Sequence, residues 1–195
     1  MLLKSGVMMT ARYARVAVTI PIAGLIACWQ AASAQAPQPH DPGHAASATN
    51  WCAAHAAKRE IDMAVSDCDY AVATDPGNAK AYSNRGSVWL LAGLPSKALV
   101  DFDAAITLTP SDANLFFNRG IAHAQLKARN KAIADYTEAL RLAPDLAIAL
   151  YNRGYEFELS GKTDQALADY RRALEIEPQL QQSQSAITRL LRSGL

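Results

Sequence analysis

Between Ser47 and Pro178 the sequence repeats itself with a period of thirty-four residues, and that periodicity limits the folds open to it more than any other feature. The clearest copy runs Phe116-x2-Arg119-Gly120-x2-His123, crosses a polar break, and continues Ala132-x3-Tyr136-x2-Ala139-x4-Pro144. The same columns hold Tyr82, Arg85, Gly86, Trp89, Ala98, Phe102, Ala105 and Pro110 before it, and Leu150, Arg153, Gly154, Phe157, Ala166, Tyr170, Ala173 and Pro178 after it. A degenerate first copy places Trp51, Cys52, His55, Ala64, Cys68, Ala71 and Pro76 in register. A fixed period of this length implies stacked units, each burying its apolar face only against its neighbours.

Five columns are invariant across the four copies: Asn50, Asn84, Asn118 and Asn152; Ala64 and its equivalents; Asp67, Asp101, Asp135 and Asp169; Ala71 and its equivalents; and the prolines. In each unit a first helix runs to a turn at Arg59-Glu60, Gly93-Leu94, Lys127-Ala128 or Gly161-Lys162, and a second helix ends before the proline. Asp62, Ser96, Asn130 and Asp164 stand where the N-cap of the second helix is expected.

At these residues the chain resembles the tetratricopeptide repeat, a two-helix unit with aromatic, Gly and aromatic positions on one helix and Ala, aromatic and Pro on the next. The resemblance covers residues 45–178. It implies an all-α fold, a right-handed α-solenoid of four stacked antiparallel helix pairs at 45–78 (degenerate), 79–112, 113–146 and 147–178. Residues 179–195 follow as a capping helix, with Leu180, Ile187, Leu190 and Leu191 on its apolar side and Gln181, Gln182, Ser185, Arg189 and Arg192 on its polar side. Terminal repeats need such a polar outer face to stop open-ended stacking.

Residues equidistant from the turn face one another in such a hairpin, which pairs Gly86 with Phe102, Gly120 with Tyr136 and Gly154 with Tyr170. The same construction pairs Arg85 with Asp101, Arg119 with Asp135 and Arg153 with Asp169. These charges read either as a ligand-binding arginine row or as a structural ion-pair ladder, and the ladder is the expectation. In the first copy the facing pair is Cys52 and Cys68, for which a disulfide is expected in an exported protein. Two buried thiols, or a weak three-ligand metal site with His55, are the alternatives. His123 shares its column with Trp89 and Phe157, so it reads as a packing residue.

Residues 1–34 read as an export signal: a basic segment ending at Arg15, an apolar run from Val16 to Cys28, and the small residues Ala32-Ser33-Ala34 before the expected cleavage. A competing reading takes Leu25-Ile26-Ala27-Cys28 as a lipobox, with Cys28 as a lipid anchor. Residues 35–47 read as a flexible linker. Its His40 and His44 lack the spacing of a metal site. Lys4, Arg12 and Arg15 lie in the leader and none of the 18 acidic residues does, so the body is slightly acidic, which argues against nucleic-acid binding.

The resemblance also implies a concave groove lined by the first helices, where Asn84, Asn118, Asn152, Phe117, Ile121, Tyr151 and Tyr155 are the expected partner-binding residues. An amide both donates to and accepts from a peptide backbone, and aromatic residues often anchor interfaces. The acidic-peptide clamp of chaperone-binding relatives is not expected, because its columns hold Thr49, Ala53, Lys80 and Asn118. No phosphate loop, nucleophile elbow or metal motif is present, and Asp and Glu are expected on solvent faces. The expected function is a non-enzymatic scaffold or adaptor of the bacterial cell envelope, periplasmic or secreted, without cofactor, binding a protein or peptide segment. The alternatives are a structural, self-associating homo-oligomer and a regulatory subunit of a separate envelope enzyme.

Overall fold

A computed structural model describes residues 45–192. The segment expected to be an export leader, with Cys28, and His40 and His44 of the expected linker lie outside the described residues.

The described chain is a series of helices joined by short turns. They are α1 (Ala45–Ala57), α2 (Ile61–Thr74), α3 (Ala79–Leu91), α4 (Pro95–Leu108), α5 (Ala113–Gln125), α6 (Arg129–Leu142), α7 (Ala147–Leu159), α8 (Thr163–Ile176) and α9 (Gln181–Arg192). Helices α1 to α8 pair within the four repeats, and α9 packs on α8. This is an α-solenoid. No helix among the described residues is long and apolar enough to cross a membrane. Helix α1 begins earlier than expected: Ala45, Ala46 and Ser47, read from the sequence as the end of the linker, are helical. Two alanines carry a high intrinsic helix propensity, and the composition of the linker masked it.

The turns within repeats correct one expectation. Arg59, Gly93, Lys127 and Gly161 all take left-handed backbone angles, with φ of 61°, 72°, 59° and 72°. The next amide reaches back to close the first helix: Glu60 N to His55 O (2.9 Å), Leu94 N to Trp89 O (2.8 Å), Ala128 N to His123 O (2.9 Å) and Lys162 N to Phe157 O (2.9 Å). This is a Schellman closure. Its last residue is already the N-cap of the following helix, so the caps are Glu60, Leu94, Ala128 and Lys162, and none bonds through its side chain. Asp62, Ser96, Asn130 and Asp164 therefore lie two residues past the cap, in the first turn of the helix. One residue serves both helices, which leaves no separate capping position.

Between repeats the arrangement differs. Asn78 accepts from the amides of Lys80 and Ala81, and Asp112 accepts from that of Asn114, as side-chain N-caps. Ahead of each proline the C-cap residue has left the helical region, with φ of −135° at Asp75, −137° at Thr109, −136° at Ala143 and −127° at Glu177. Proline disfavours the helical region for the residue before it.

The core is a column of glycine and aromatic contacts. A Cβ on Gly86 would stand 2.8 Å from Phe102 Cε1, one on Gly120 2.6 Å from Tyr136 Cε1, and one on Gly154 2.9 Å from Tyr170 Cε1. The rings are thus seated directly on backbone. In the first repeat Cys52 and Cys68 occupy the equivalent positions, fully buried and paired, with Cα atoms 5.1 Å apart.

Helix α9 continues the register of the first helices. Leu180, Ser183, Ala186 and Leu190 are buried against the last repeat, with Ala166, Leu167 and Tyr170 in the same cluster as Ala186 and Leu190. Leu191, expected on the apolar side, is instead 53% exposed. A contact stripe centred on Ala186 and Leu190 places the adjacent residue outside it.

Candidate functional site

The arginine column is anchored on both sides. Arg85 donates from Nε and Nη2 to Asp101 (3.0 and 2.7 Å) and from Nη1 to Asp69 of the preceding repeat (2.8 Å). Arg119 repeats the arrangement with Asp135 (3.0 and 2.6 Å) and Asp103 (2.7 Å). Arg153 donates to Asp169 (2.8 and 2.8 Å), and Thr137 accepts in place of the outer carboxylate (3.2 Å). Each aspartate of the invariant column is buried. The carboxylates raise the pKa of Arg85 and Arg119, chiefly through their hydrogen bonds. Each of these three guanidiniums is committed to protein groups.

The first repeat lacks the arginine, since Trp51 stands in its column. There His55 Nδ1 lies 2.5 Å from Asp67 Oδ2, so the buried aspartate takes its partner from one turn further along α1. Sequence reading assigned the His55 column to packing and missed this exchange. The signal was Trp51 replacing Arg with the aspartate retained. With His55 engaged by Asp67 and the cysteines by each other, no group of three or more His, Cys, Asp or Glu among the described residues is placed to hold a metal. His123 is half-buried, 3.7 Å from Asp135 Oδ2, and burial lowers its pKa.

The expected groove residues lie on α3, α5 and α7. Asn84 donates from Nδ2 to the carbonyl of Thr49 (3.1 Å), so its amino group fastens the second repeat to the first. Asn118 and Asn152 are half-buried and make no such clasp among the described residues. Phe117 leans on Tyr136 with ring centroids 6.0 Å apart, and Tyr151 on Tyr170 at 5.7 Å. Ile121 is half-buried and Tyr155 is 42% exposed. Ile121, Asn152 and Tyr155 come together on the wall of a cleft of about 460 Å³ between the third and fourth repeats, with Lys127, Arg129, Tyr136, Glu156 and Leu159. Asn84, Asn118, Phe117 and Tyr151 lie outside that cleft.

Glu156 corrects the expectation that acidic residues outside the aspartate column face solvent. It is only 4% exposed, in the column that holds Val88 and Ala122 in the preceding repeats. Burial raises its pKa, and Arg129, whose Nε lies 3.9 Å from Glu156 Oε2, partly offsets the shift. A charged residue in an otherwise apolar column was the available signal.

Family comparisons agree with this geometry. Sequence profiles of the tetratricopeptide repeat match residues 53–113, 113–146 and 147–180, contiguous over most of the described body. No curated protein sequence matches the chain. Among solved structures, the crystal structure of MamA is similar at 22% identity and a TM-score of 0.67, over 71% of this chain and 81% of that one. The TPR domain of Arabidopsis OM64 is similar at 27% identity and a TM-score of 0.58, over 60% and 96% of the two chains. The first TPR of Spaghetti (RPAP3) bound to the HSP90 peptide SRMEEVD is similar at 23% identity and a TM-score of 0.58, over 59% and 91%. The chain belongs to the tetratricopeptide-repeat family.

Proposed function

We propose that this protein is a protein-binding adaptor of the bacterial cell envelope that takes an extended segment of a partner along the face of α3, α5 and α7. The observation that carries the reading is the division of labour between columns. All three repeat arginines are tied to carboxylates or Thr137, whereas Asn118 and Asn152 stand half-buried beside Phe117, Ile121, Tyr151 and Tyr155 without the clasp that Asn84 makes. An amide flanked by apolar side chains suits a peptide backbone, which needs both donors and acceptors. A similar fold bound to a peptide, the first TPR of Spaghetti with SRMEEVD, supports peptide capture as a use of this architecture. That peptide's acidic residues would find few cations here, since Arg85, Arg119 and Arg153 are engaged.

Export and oxidation belong to the same reading. The leader ending at Ala34 directs the chain to an oxidising compartment, where Cys52 and Cys68 form a disulfide between α1 and α2. Closing a loop of this length contributes about 3 kcal/mol in the chain-entropy model.

A photo-crosslinking residue at position 151, expressed in cells, tests the proposal. The expected result is one reproducible adduct that disappears on Phe117→Ala, from a protein whose mature N-terminus is Gln35 and which shows no free thiol. Crosslinks only between copies of the chain would favour self-association instead. An N-terminus at a lipidated Cys28 would move the protein to a membrane anchor, and two reactive thiols would remove the disulfide.

A further inference from the structure

The cleft between the third and fourth repeats is lined by polar groups that differ from those of the neighbouring repeats at the same columns. Tyr136 and Tyr170 share a column, and the Tyr170 hydroxyl donates to Glu158 Oε2 (2.8 Å). Thirty-four residues before Glu158 stands Ala124, whose methyl group offers Tyr136 no acceptor. The Tyr136 side chain, 2% exposed, therefore reaches the cleft with its hydroxyl lacking a hydrogen bond among the described residues. Conversely, Glu156 stands where the preceding repeats hold Val88 and Ala122, and brings a buried carboxylate to the same wall. Arg129 completes the set: its Nε is buried without a hydrogen-bond partner, and its 3.9 Å separation from Glu156 is too long for one.

Buried polar groups are normally satisfied, and one left without a hydrogen bond is costly. Here two donors and one acceptor border one cleft, the Arg129 Nε buried without a hydrogen bond and Glu156 held only by a long ion pair to it, with Ile121, Tyr155 and Leu159 as apolar walls. The charges narrow the occupant. A cation meets Lys127 and Arg129, an anion meets Glu156, and a purely apolar group leaves both donors and the acceptor unsatisfied. A primary amide answers all three, because its oxygen accepts from Tyr136 and Arg129 while its nitrogen donates to Glu156.

We propose that this cleft is a specificity pocket for a glutamine side chain of the bound segment, the two methylenes lying against Ile121 and Tyr155. The pocket deepens the adaptor reading and rests on it for the source of the glutamine. It also gives a role to Glu156, which departs from a column of Ala54, Val88 and Ala122, by making it the acceptor of the pocket.

The test is an NMR titration of the full ¹⁵N-labelled chain with N-acetyl-glutamine methylamide, and in parallel with the asparagine, glutamate, lysine and leucine analogues. The expected result is saturable shifts at Arg129, Asn152, Tyr155 and Glu156 with the glutamine compound. Its affinity is expected to be about fivefold or more above the others, the worth of one net hydrogen bond. Tyr136→Phe removes one donor and keeps the ring, as Phe102 does in the second repeat, so it is expected to lower the affinity by a similar factor without unfolding the chain. Equal binding of the glutamate, lysine, leucine or asparagine analogue, or no saturable shift at these residues, overturns the pocket. Because the probe is a single capped residue, its failure with the position-151 adduct intact sinks the pocket alone. Loss of both sinks the adaptor reading.

Discussion

Two carboxylates on the same arginine differ in what they contribute. Asp135 is 5% exposed and takes both Nε and Nη2 of Arg119, whereas Asp103 receives Nη1 with its side chain 61% exposed. Exposed pairs contribute roughly 0–1 kcal/mol because water screens them and side-chain entropy opposes them. Stripping the partner from a buried charge costs about 3–5 kcal/mol. Arg119→Ala is therefore expected to lower stability by about 3 kcal/mol or more, and Asp103→Ala by under about 1 kcal/mol, measured from urea midpoints at constant slope. Equal effects would mean that the ladder is ornamental. Glu156 makes a separate prediction through pH. Its raised pKa means that folding favours the protonated form, so its contribution is fully present below the ionisation of a free glutamate, near pH 4.3, and is lost as pH rises through the folded value. Glu156→Gln, neutral throughout, should melt above the parent at about pH 8, and the gap should narrow toward about pH 4. A gap independent of pH would show that Glu156 is not desolvated. The ladder could be read from sequence because each Arg and Asp lie sixteen residues apart, symmetric about the turn. The cleft could not, because it depends on Ala124 offering no acceptor as much as on Glu156 being present, and no motif marks a missing side chain.

Helix boundaries tell a related story at the scale of the element. Prolines and the Ala columns marked where second helices end and where they pack, since both act through local sterics that a sequence states directly. Capping was misplaced because two helices share one residue. A Schellman closure ends on the residue after the left-handed position, and in these hairpins that residue already begins α2, α4, α6 or α8. Gly93 and Gly161 signalled the left-handed position openly, but Arg59 and Lys127 hold the same geometry without it. Such a backbone costs a side-chain-bearing residue roughly 1–2 kcal/mol, so the tertiary packing of the hairpin, not local propensity, sets the turn there. The first hairpin adds a second compensation. It lacks both the Gly-aromatic contact and the arginine, and offers the Cys52 and Cys68 pair and the His55 to Asp67 contact in their place. Substitutions that look like decay in one column are answered from another column of the same hairpin.

At the scale of the molecule, stability in a solenoid is approximately a sum over neighbours, so its ends decide how it opens. Helix α9 keeps the first-helix register but carries Thr188 where Gly86, Gly120 and Gly154 receive an aromatic ring. A second helix bearing that ring could not seat on Thr188 as the rings of Phe102, Tyr136 and Tyr170 seat on their glycines. What α9 does cover is the apolar face of the last repeat, through Ala186 and Leu190 on Ala166, Leu167 and Tyr170, and it is clamped by Arg189, which donates from Nη2 to both oxygens of Glu158 at 2.8 Å. Removing residues 181–195 uncovers that face and frees Glu158 from Arg189. The expected cost is about 3 kcal/mol or more from lost apolar burial, and nearest-neighbour coupling confines it to the end of the array. Hydrogen exchange is expected to show α7 and α8 losing about a hundredfold in protection while α3 and α4 change little. A uniform loss along the whole chain would mean that the repeats open as one cooperative unit. In that case the pocket beside Glu156, in the last full repeat, could not loosen independently of the first.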